Sequence, residues 1–307
     1  MRIVRIHRFE GLEALEIEDA PVPRPVDDEI VLRVAAAGAD VLDRPGMRLP
    51  APLGRDVSGV VELCGVRARA LKKGDAAFAL LGPDRGGYAD YVVVKAAEAA
   101  AKPKTLDHLH AAALPLAGLT AWQGLFVHGR LQPGQRVLIH GAAGGPGHLA
   151  VQMAKARGAF VAATAAGEDC AFVRSLGADQ VIDRDLERFE TLVERVNLVF
   201  DLVAGPTQER SWAALARGAT LVSPISEPSQ YRASRLGVRA LRYTVQPNGA
   251  QLAEIGRWVD GGRIRPHVSR VYRLEEAGAA QARLEAGPVR GKLVLDLTGS
   301  CSAPAGS

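Results

Sequence analysis

Apolar and polar positions change rhythm twice along this chain. In the first third, short apolar runs alternate with turn residues and carry no helical spacing. Ile3, Val4 and Ile6 open one strand, and residues 29–36 (EIVLRVAA), 57–63 (VSGVVEL) and 88–94 (YADYVVV) form others. Pro21, Pro23 and Pro25 stiffen one connection, while Gly74-Asp75 and Gly86-Gly87 punctuate the rest. Strands at this spacing without intervening helices predict a compact β-barrel-like domain. From about residue 108, helical segments alternate with apolar strands at 137–140, 160–164, 181–182, 198–203 and 220–223. Such alternation predicts a parallel sheet covered by helices on both faces. After Gly261-Gly262 the pattern reverts, with a helix at about 275–286 and a last strand at 292–297 (KLVLDL). The α/β unit is complete by then, so the tail is expected to rejoin the first domain. The predicted domains are therefore 1–112 with 261–307, and 113–260.

A chain of 307 residues exceeds the usual single-domain size, in keeping with two domains. Aromatic residues are only 5%, so the core must be mostly aliphatic. The net charge is +4, but the arginines are scattered and interrupted by acidic residues, which argues against a nucleic-acid surface. Cys64, Cys170 and Cys301 lie far apart, as free thiols in a reducing compartment would. The start, MRIVRIHRFEG, has no long apolar stretch behind its charges and does not read as a signal peptide, and no apolar run in the sequence is long enough to span a bilayer. These features predict a cytoplasmic protein, and the final SCSAPAGS reads as a loose terminus.

The most informative stretch is 135–164, QRVLIHGAAGGPGHLAVQMAKARGAFVAAT. A strand runs into a turn of small residues, the turn opens a helix, and a second strand follows. Gly144, Gly145 and Gly147 would let the backbone approach a pyrophosphate lying at the helix N-terminus. Pro146 suits a first helical turn, where it costs no hydrogen bond. The fingerprint is incomplete, because Ala142 stands where its first glycine would be, and a tight packing turn is the alternative. The flanking strands favour dinucleotide binding.

Together with LGRDVSGVVE (53–62), KKGDAAFAL (72–80), GGYADYVVV (86–94), AAALPLAGLTAW (111–122), SLGADQVID (175–183) and LEAGPVRGKLVLDL (284–297), this stretch resembles one family. It is the zinc-free quinone oxidoreductase (zeta-crystallin-like) branch of the medium-chain dehydrogenase/reductase superfamily. The resemblance implies a Rossmann doubly wound parallel sheet inserted in a GroES-like β-rich catalytic domain. It implies a homodimer and metal-free hydride transfer from NAD(P)H to an activated C=C bond or quinone, in an enone, enal or enoyl-type substrate. By the same resemblance Thr120 should bond near the nicotinamide, and Ala143, Gly144, Gly145 and Pro146 should line the pyrophosphate. Thr164 and Ala165 should approach the adenosine ribose, Val203 should lie along the cofactor, and Tyr243 should border the nicotinamide. Thr120 could instead be a helix-start hydroxyl, and His140, His148, Tyr88 and Tyr91 read as packing residues.

Several positions depart from family patterns. Stretches 35–43 and 54–59 offer no Cys or His where zinc-dependent relatives place ligands, and no four-cysteine cluster exists. Asp40 replaces the asparagine usual at a position facing nicotinamide and substrate. It is a candidate for an acidic role beside the substrate carbonyl if its surroundings keep it protonated; a solvated loop carboxylate is the alternative. The loop 43–54 is shorter than in relatives. After the second Rossmann strand, Ala166, Glu168 and Asp169 stand where a 2′-phosphate would be held, with Arg174, Arg232 and Arg235 as candidate counter-charges. The choice between NADPH and NADH stays open, with NADPH preference expected to be weakened. The alternatives are a specialised biosynthetic tailoring enzyme on this scaffold, or a cofactor-sensing or nucleic-acid-binding protein with little turnover.

Overall fold

A computed structural model describes residues 1–8, 15–41 and 48–299. Cys301, the tail at 300–307 and residues 43–47 of the short loop lie outside the described residues. The chain divides into two compact units: Met1–Leu116, Pro247–Asp260 and Pro266 onward form one, and Ala117–Gln246 with Gly261–Arg265 the other.

The first unit begins with β1 (Arg2–Ile6), β2 (Leu15–Asp19), β3 (Glu29–Ala39), β4 (Ala51–Pro52), β5 (Asp56–Cys64), β6 (Ala76–Leu80), β7 (Tyr91–Lys95) and β8 (Ala99–Ala101). The short helix α1 (His108–Ala112) follows, capped by the Asp107 side chain. β3 is long because it receives partners along both edges, pairing antiparallel with β5 and with β7. Its Ile30, Leu32 and Val34 enter a core with Val57, Val61 and Tyr88. Small residues govern its C-terminal half. A Cβ added to Gly38 would come within 2.7 Å of both the Ala112 carbonyl and the Asp56 side chain, so only glycine permits that approach. Tyr88 precedes β7 instead of opening the strand as expected, because its main chain bonds elsewhere, its N–H donating to Leu53 O (2.9 Å) and its carbonyl accepting from Val4 N (2.8 Å).

The second unit starts within α2 (Pro115–Trp122), which continues through a π-helical stretch, Gln123–His128. Then come β9 (Arg136–His140), α3 (Gly145–Ala156), β10 (Phe160–Ala165), α4 (Cys170–Ser175), β11 (Gln180–Asp183), α5 (Phe189–Leu192), β12 (Val196–Asp201), α6 (Gly205–Ser211), β13 (Leu215–Ser223), α7 (Gln230–Leu236) and β14 (Arg239–Arg242). All six strands are parallel, in the order β11-β10-β9-β12-β13-β14. The direction of winding reverses at β9, which makes its C-terminal end the switch point where doubly wound sheets bind ligands. Leu138, Ala162, Val199 and Leu221, one from each central strand, pack with Phe189 and Trp212 in the core.

The chain returns earlier than its sequence pattern suggests. α8 (Gly249–Asp260) belongs to the first unit, although its helical period reads as part of the α/β region. Its Leu252, Ile255 and Trp258 are buried, and Gly249 lies so close to β8 that a Cβ would stand 2.3 Å from the Ala99 carbonyl. At its end, Asp260 Oδ1 accepts from the Thr105 main-chain N (3.0 Å) and hydroxyl (2.9 Å). Amphipathic spacing specifies an apolar face but not the sheet that receives it. β15 (Val268–Arg273), α9 (Ala277–Glu285) and β16 (Lys292–Asp296) complete the unit, and β16 pairs antiparallel with β3. No helix among the described residues is long and apolar enough to cross a membrane.

Candidate functional site

The glycine turn sits at the switch point of the second unit. Gly141, in a left-handed conformation (φ +71°), turns the chain out of β9, and Ala142 N donates to Thr164 O at 3.1 Å. Gly144 then caps α3 in an extended conformation, its carbonyl accepting from His148 N (3.0 Å) and from the His148 ring (3.1 Å). The His148 ring is buried in this packing role, as expected. Two glycines that look equivalent in the sequence serve different ends. A Cβ on Gly147 would lie 2.1 Å from the Gly141 carbonyl, so Gly147 is required by the turn itself. A Cβ on Gly144 would meet only that carbonyl, at 3.5 Å, so its outer side is open. Gly145 and Pro146 form the first turn of the 12-residue α3, whose N-terminus favours an anion. Ala143 is buried beside them. Small residues, an open outer side and a helix dipole fit a dinucleotide pyrophosphate.

Val203 joins this turn. It lies just beyond β12, 41% exposed, with its Cγ2 3.3 Å from where a Gly141 Cβ would be. Asp201, fully buried, organises the loop: Oδ1 accepts from Val203 N (3.0 Å) and Ala204 N (2.9 Å), and Oδ2 from Gln208 Nε2 (2.9 Å). The sequence reading passed over Asp201; its signal is a carboxylate ending an apolar strand.

The Thr164 hydroxyl turns inward, so its main chain is the part of the residue left to meet the expected ribose. It bonds His140 Nδ1 at 2.9 Å, while His140 Nε2 bonds Ser211 Oγ at 2.9 Å. Because the Ser211 hydroxyl donates to Thr207 O, Nε2 must carry the imidazole proton and Nδ1 accepts from Thr164. Burial pushes the His140 pKa down to about 4 from the ordinary 6.5. The unfolded chain therefore holds the extra proton between these values. Stability from this site is complete above about pH 6.5 and is lost as pH falls toward 4. Denaturant titrations should show a loss on the order of 2–4 kcal/mol across that window, reduced in His140→Gln. An unchanged slope in that variant would remove His140 as the cause.

Thr120 and Tyr243 are brought together, since the Tyr243 hydroxyl donates to Thr120 O at 2.6 Å. Both are buried, and the Tyr243 ring lies 4.7 Å from that of His128. Burial raises the phenol pKa above its ordinary value, so its proton stays in that bond. At the end of β10, Ala165 is buried and aligned with Asp183 of β11. The Asp183 carboxylate stands beside Gly167, where a Cβ would be 2.7 Å from its Oδ2. Another carboxylate thus joins Glu168 and Asp169 at this end of the sheet. Arg232 is paired with Glu209 (3.1 Å), and the Arg235 guanidinium lies 5.8 Å from the Tyr231 ring centre.

The first unit holds a separate charged cluster. Lys292, opening β16, is 3% exposed and donates to Asp56 Oδ2 at 2.8 Å and to Asp40 Oδ1. Asp56, opening β5, is fully buried and also accepts from Leu116 N at 2.5 Å. Burial opposes the Lys292 charge, but Asp40 and Asp56 outweigh it and hold its pKa above the ordinary lysine value. Burial likewise pushes Asp56 up, against the pull of Lys292. Asp40 is therefore not a freely solvated carboxylate, since the Lys292 ammonium donates to it and its side chain is 30% exposed. This donor set does not suit zinc. The described parts of the stretches 35–43 and 54–59 offer no Cys or His, and the Asp40 and Asp56 carboxylates converge on an ammonium. His7, Glu16 and Glu18 form a metal-sized group elsewhere, but Glu18 is already paired with Arg5 at 2.8 Å.

The strand order and the glycine turn define a doubly wound scaffold suited to a dinucleotide. Residues 26–104 match the family model of the alcohol dehydrogenase GroES-like domain, and 176–295 that of the zinc-binding dehydrogenases. The mitochondrial NAD(P)H oxidoreductase RTN4IP1 of Mus musculus is 35% identical, over 82% of this chain and 72% of its own. The chloroplastic NADPH-dependent alkenal/one oxidoreductase of Arabidopsis thaliana is 31% identical, over 94% of this chain and 77% of its own. The solved quinone oxidoreductase of Coxiella burnetii superposes with a TM-score of 0.88 at 33% identity, covering 97% of this chain and 99% of that one. The chain belongs to the medium-chain dehydrogenase/reductase superfamily, in its quinone oxidoreductase branch.

Proposed function

We propose that this protein is an NAD(P)H-dependent oxidoreductase that reduces an activated C=C bond or a quinone without a metal ion. The observation that carries this reading is the open outer side of Gly144 at the N-terminus of α3, at the switch point of the sheet. A bound reduced nicotinamide supplies a hydride to an electrophilic carbon or to a quinone. The chain's own part is to bind and orient. Gly144, Gly145 and Pro146 hold the pyrophosphate, and Asp201 fixes Val203 beside them. The main chain at Thr164 and Ala165 borders the ribose, and the Thr120–Tyr243 pair stiffens α2. Fixing two planar reactants can account for on the order of 7–11 kcal/mol of the barrier in favourable cases, so a strong catalytic acid is not required. Metal-free chemistry is supported by the pairing of Asp40 and Asp56 with Lys292. Names among the relatives, such as alkenal/one oxidoreductase and quinone oxidoreductase, support the substrate class.

The acidic end of β10 favours NADH at least as much as NADPH, since a 2′-phosphate would face Asp183 together with Glu168 and Asp169. Following loss of reduced-nicotinamide absorbance with a panel of quinones and enones, for both cofactors at equal ionic strength, tests both statements. Turnover with comparable or better use of NADH is expected. No turnover with any acceptor would overturn the reductase reading. An advantage for NADPH of about a hundredfold, roughly 2.7 kcal/mol, would overturn the cofactor reading. The proposal extends to a homodimer, because β14 pairs only with β13 among the described residues and Tyr231 and Leu236 of α7 are exposed. A mass measurement in solution decides that point.

A further inference from the structure

The β1–β2 ribbon of the first unit sets an imidazole beside two carboxylates. β1 and β2 pair antiparallel, with Arg5 opposite Glu16 and Ile3 opposite Glu18. Side chains alternate across a strand, so Val4 and Ile6 enter the core with Leu15 packed against it. Arg5, His7, Glu16 and Glu18 are left on the outer face. His7 directly follows β1, and its Nε2 meets Glu18 Oε1. One ligand atom from each of His7, Glu16 and Glu18 lies within 4.8 Å of the other two. Arg5 donates to Glu18 Oε2 at 2.8 Å, so that pairing engages one oxygen and turns the other toward the imidazole. Hydrogen bonds of this kind orient the carboxylates that ligate metal ions.

We propose that His7, Glu16 and Glu18 form a site for one divalent transition-metal ion of the zinc class. An imidazole nitrogen with two carboxylate oxygens suits Zn2+, Co2+ or Ni2+, whereas calcium and magnesium take oxygen donors. Donors at about 2.0–2.2 Å from a tetrahedral ion stand roughly 3.4 Å apart. The His7 and Glu16 side chains are exposed and can close the remaining gap by rotation. Water fills the position that three protein ligands leave open. The ion fastens residue 7 to the paired strand β2, and the reductase reading does not depend on it.

The test is calorimetric titration of zinc into the full chain, first dialysed against a chelator and then into metal-free buffer. One zinc per chain is expected. Glu16→Gln and His7→Asn, both on the exposed face, should each bind zinc at least about tenfold more weakly, with melting curves in metal-free buffer unchanged. Glu16→Gln is the decisive variant, because an ion pair of His7 with Glu18 alone makes no use of Glu16. Cobalt in place of zinc should give the weak visible bands of nitrogen and oxygen ligation, without a thiolate charge-transfer band. Calcium in about a hundredfold excess should shift zinc affinity less than about twofold, since an imidazole ligand excludes it. No zinc binding in the wild type, affinity unchanged in either variant, or displacement of zinc by calcium would overturn the proposal. So would a thiolate band, which would place the ion on a cysteine such as the exposed Cys64.

Discussion

Gly147→Val is expected to destabilise the second unit, whereas Gly144→Val, three residues away, spares the fold and abolishes tight dinucleotide binding. At Gly147 the first side-chain atom would sit 2.1 Å from the Gly141 carbonyl and 2.8 Å from Ala142 Cα. Both neighbours are backbone in the turn that joins β9 to α3, so neither can yield without moving the sheet or the helix. A loss on the order of 3 kcal/mol or more is expected in urea unfolding, the range of steric overpacking at rigid sites. At Gly144 the backbone is extended (φ −73°) and a Cβ meets one atom at ordinary contact distance, so valine costs about 1 kcal/mol or less as a poor N-cap. The remaining branches occupy the open side that a pyrophosphate needs. Affinity for the preferred reduced cofactor should fall about a hundredfold or more, or 2.7 kcal/mol, by calorimetry on protein that melts normally. Unchanged affinity in folded Gly144→Val would reduce the turn to a packing feature.

Lys292→Met is expected to lose about 3–5 kcal/mol of stability, the usual cost of stranding one partner of a buried ion pair. The stranded group is Asp56, fully buried, with only Leu116 N left as a donor among the described residues. The pH dependence carries a definite sign. Burial already raises the Asp56 pKa above its ordinary 3.8, and removing the ammonium raises it further. A carboxyl whose folded pKa is raised stabilises the fold while protonated and loses that stability as pH rises through the folded value. The variant should therefore be less stable at pH 8 than at pH 6 relative to wild type, and adding Asp56→Asn should recover about half the loss or more. Denaturant titrations at the two pH values decide it, and a pH-independent difference would show that the lost methylene packing dominates.

The two glycines and the three charged residues mark the boundary between what is local and what is not. Alternating apolar and turn residues over 29–94, then the β-α alternation from 137 to 223, are local periodicities, so fold class and the location of the glycine turn were legible in the chain. Small residues between a strand and a helix likewise state that something must approach closely. They do not state what: a Cβ on Gly147 would lie 2.1 Å from the Gly141 carbonyl, whereas a Cβ on Gly144 would meet that carbonyl only at an ordinary contact distance of 3.5 Å. That difference depends on where Gly141 points after β9 has found its place beside β10 and β12. The inward turn of Thr164 depends on His140 and Ser211, the latter far along the chain, and the assignment of α8 depends on which sheet buries its apolar face. Asp40, Asp56 and Lys292 show the limit most plainly, since Lys292 lies 252 positions from Asp40 and 236 from Asp56. Sequence alone determined the residue types and the strands that carry them. Only the antiparallel pairing of β3 with β5 on one side and β16 on the other placed an ammonium between two carboxylates, because burial and charge balance are properties of neighbours in space.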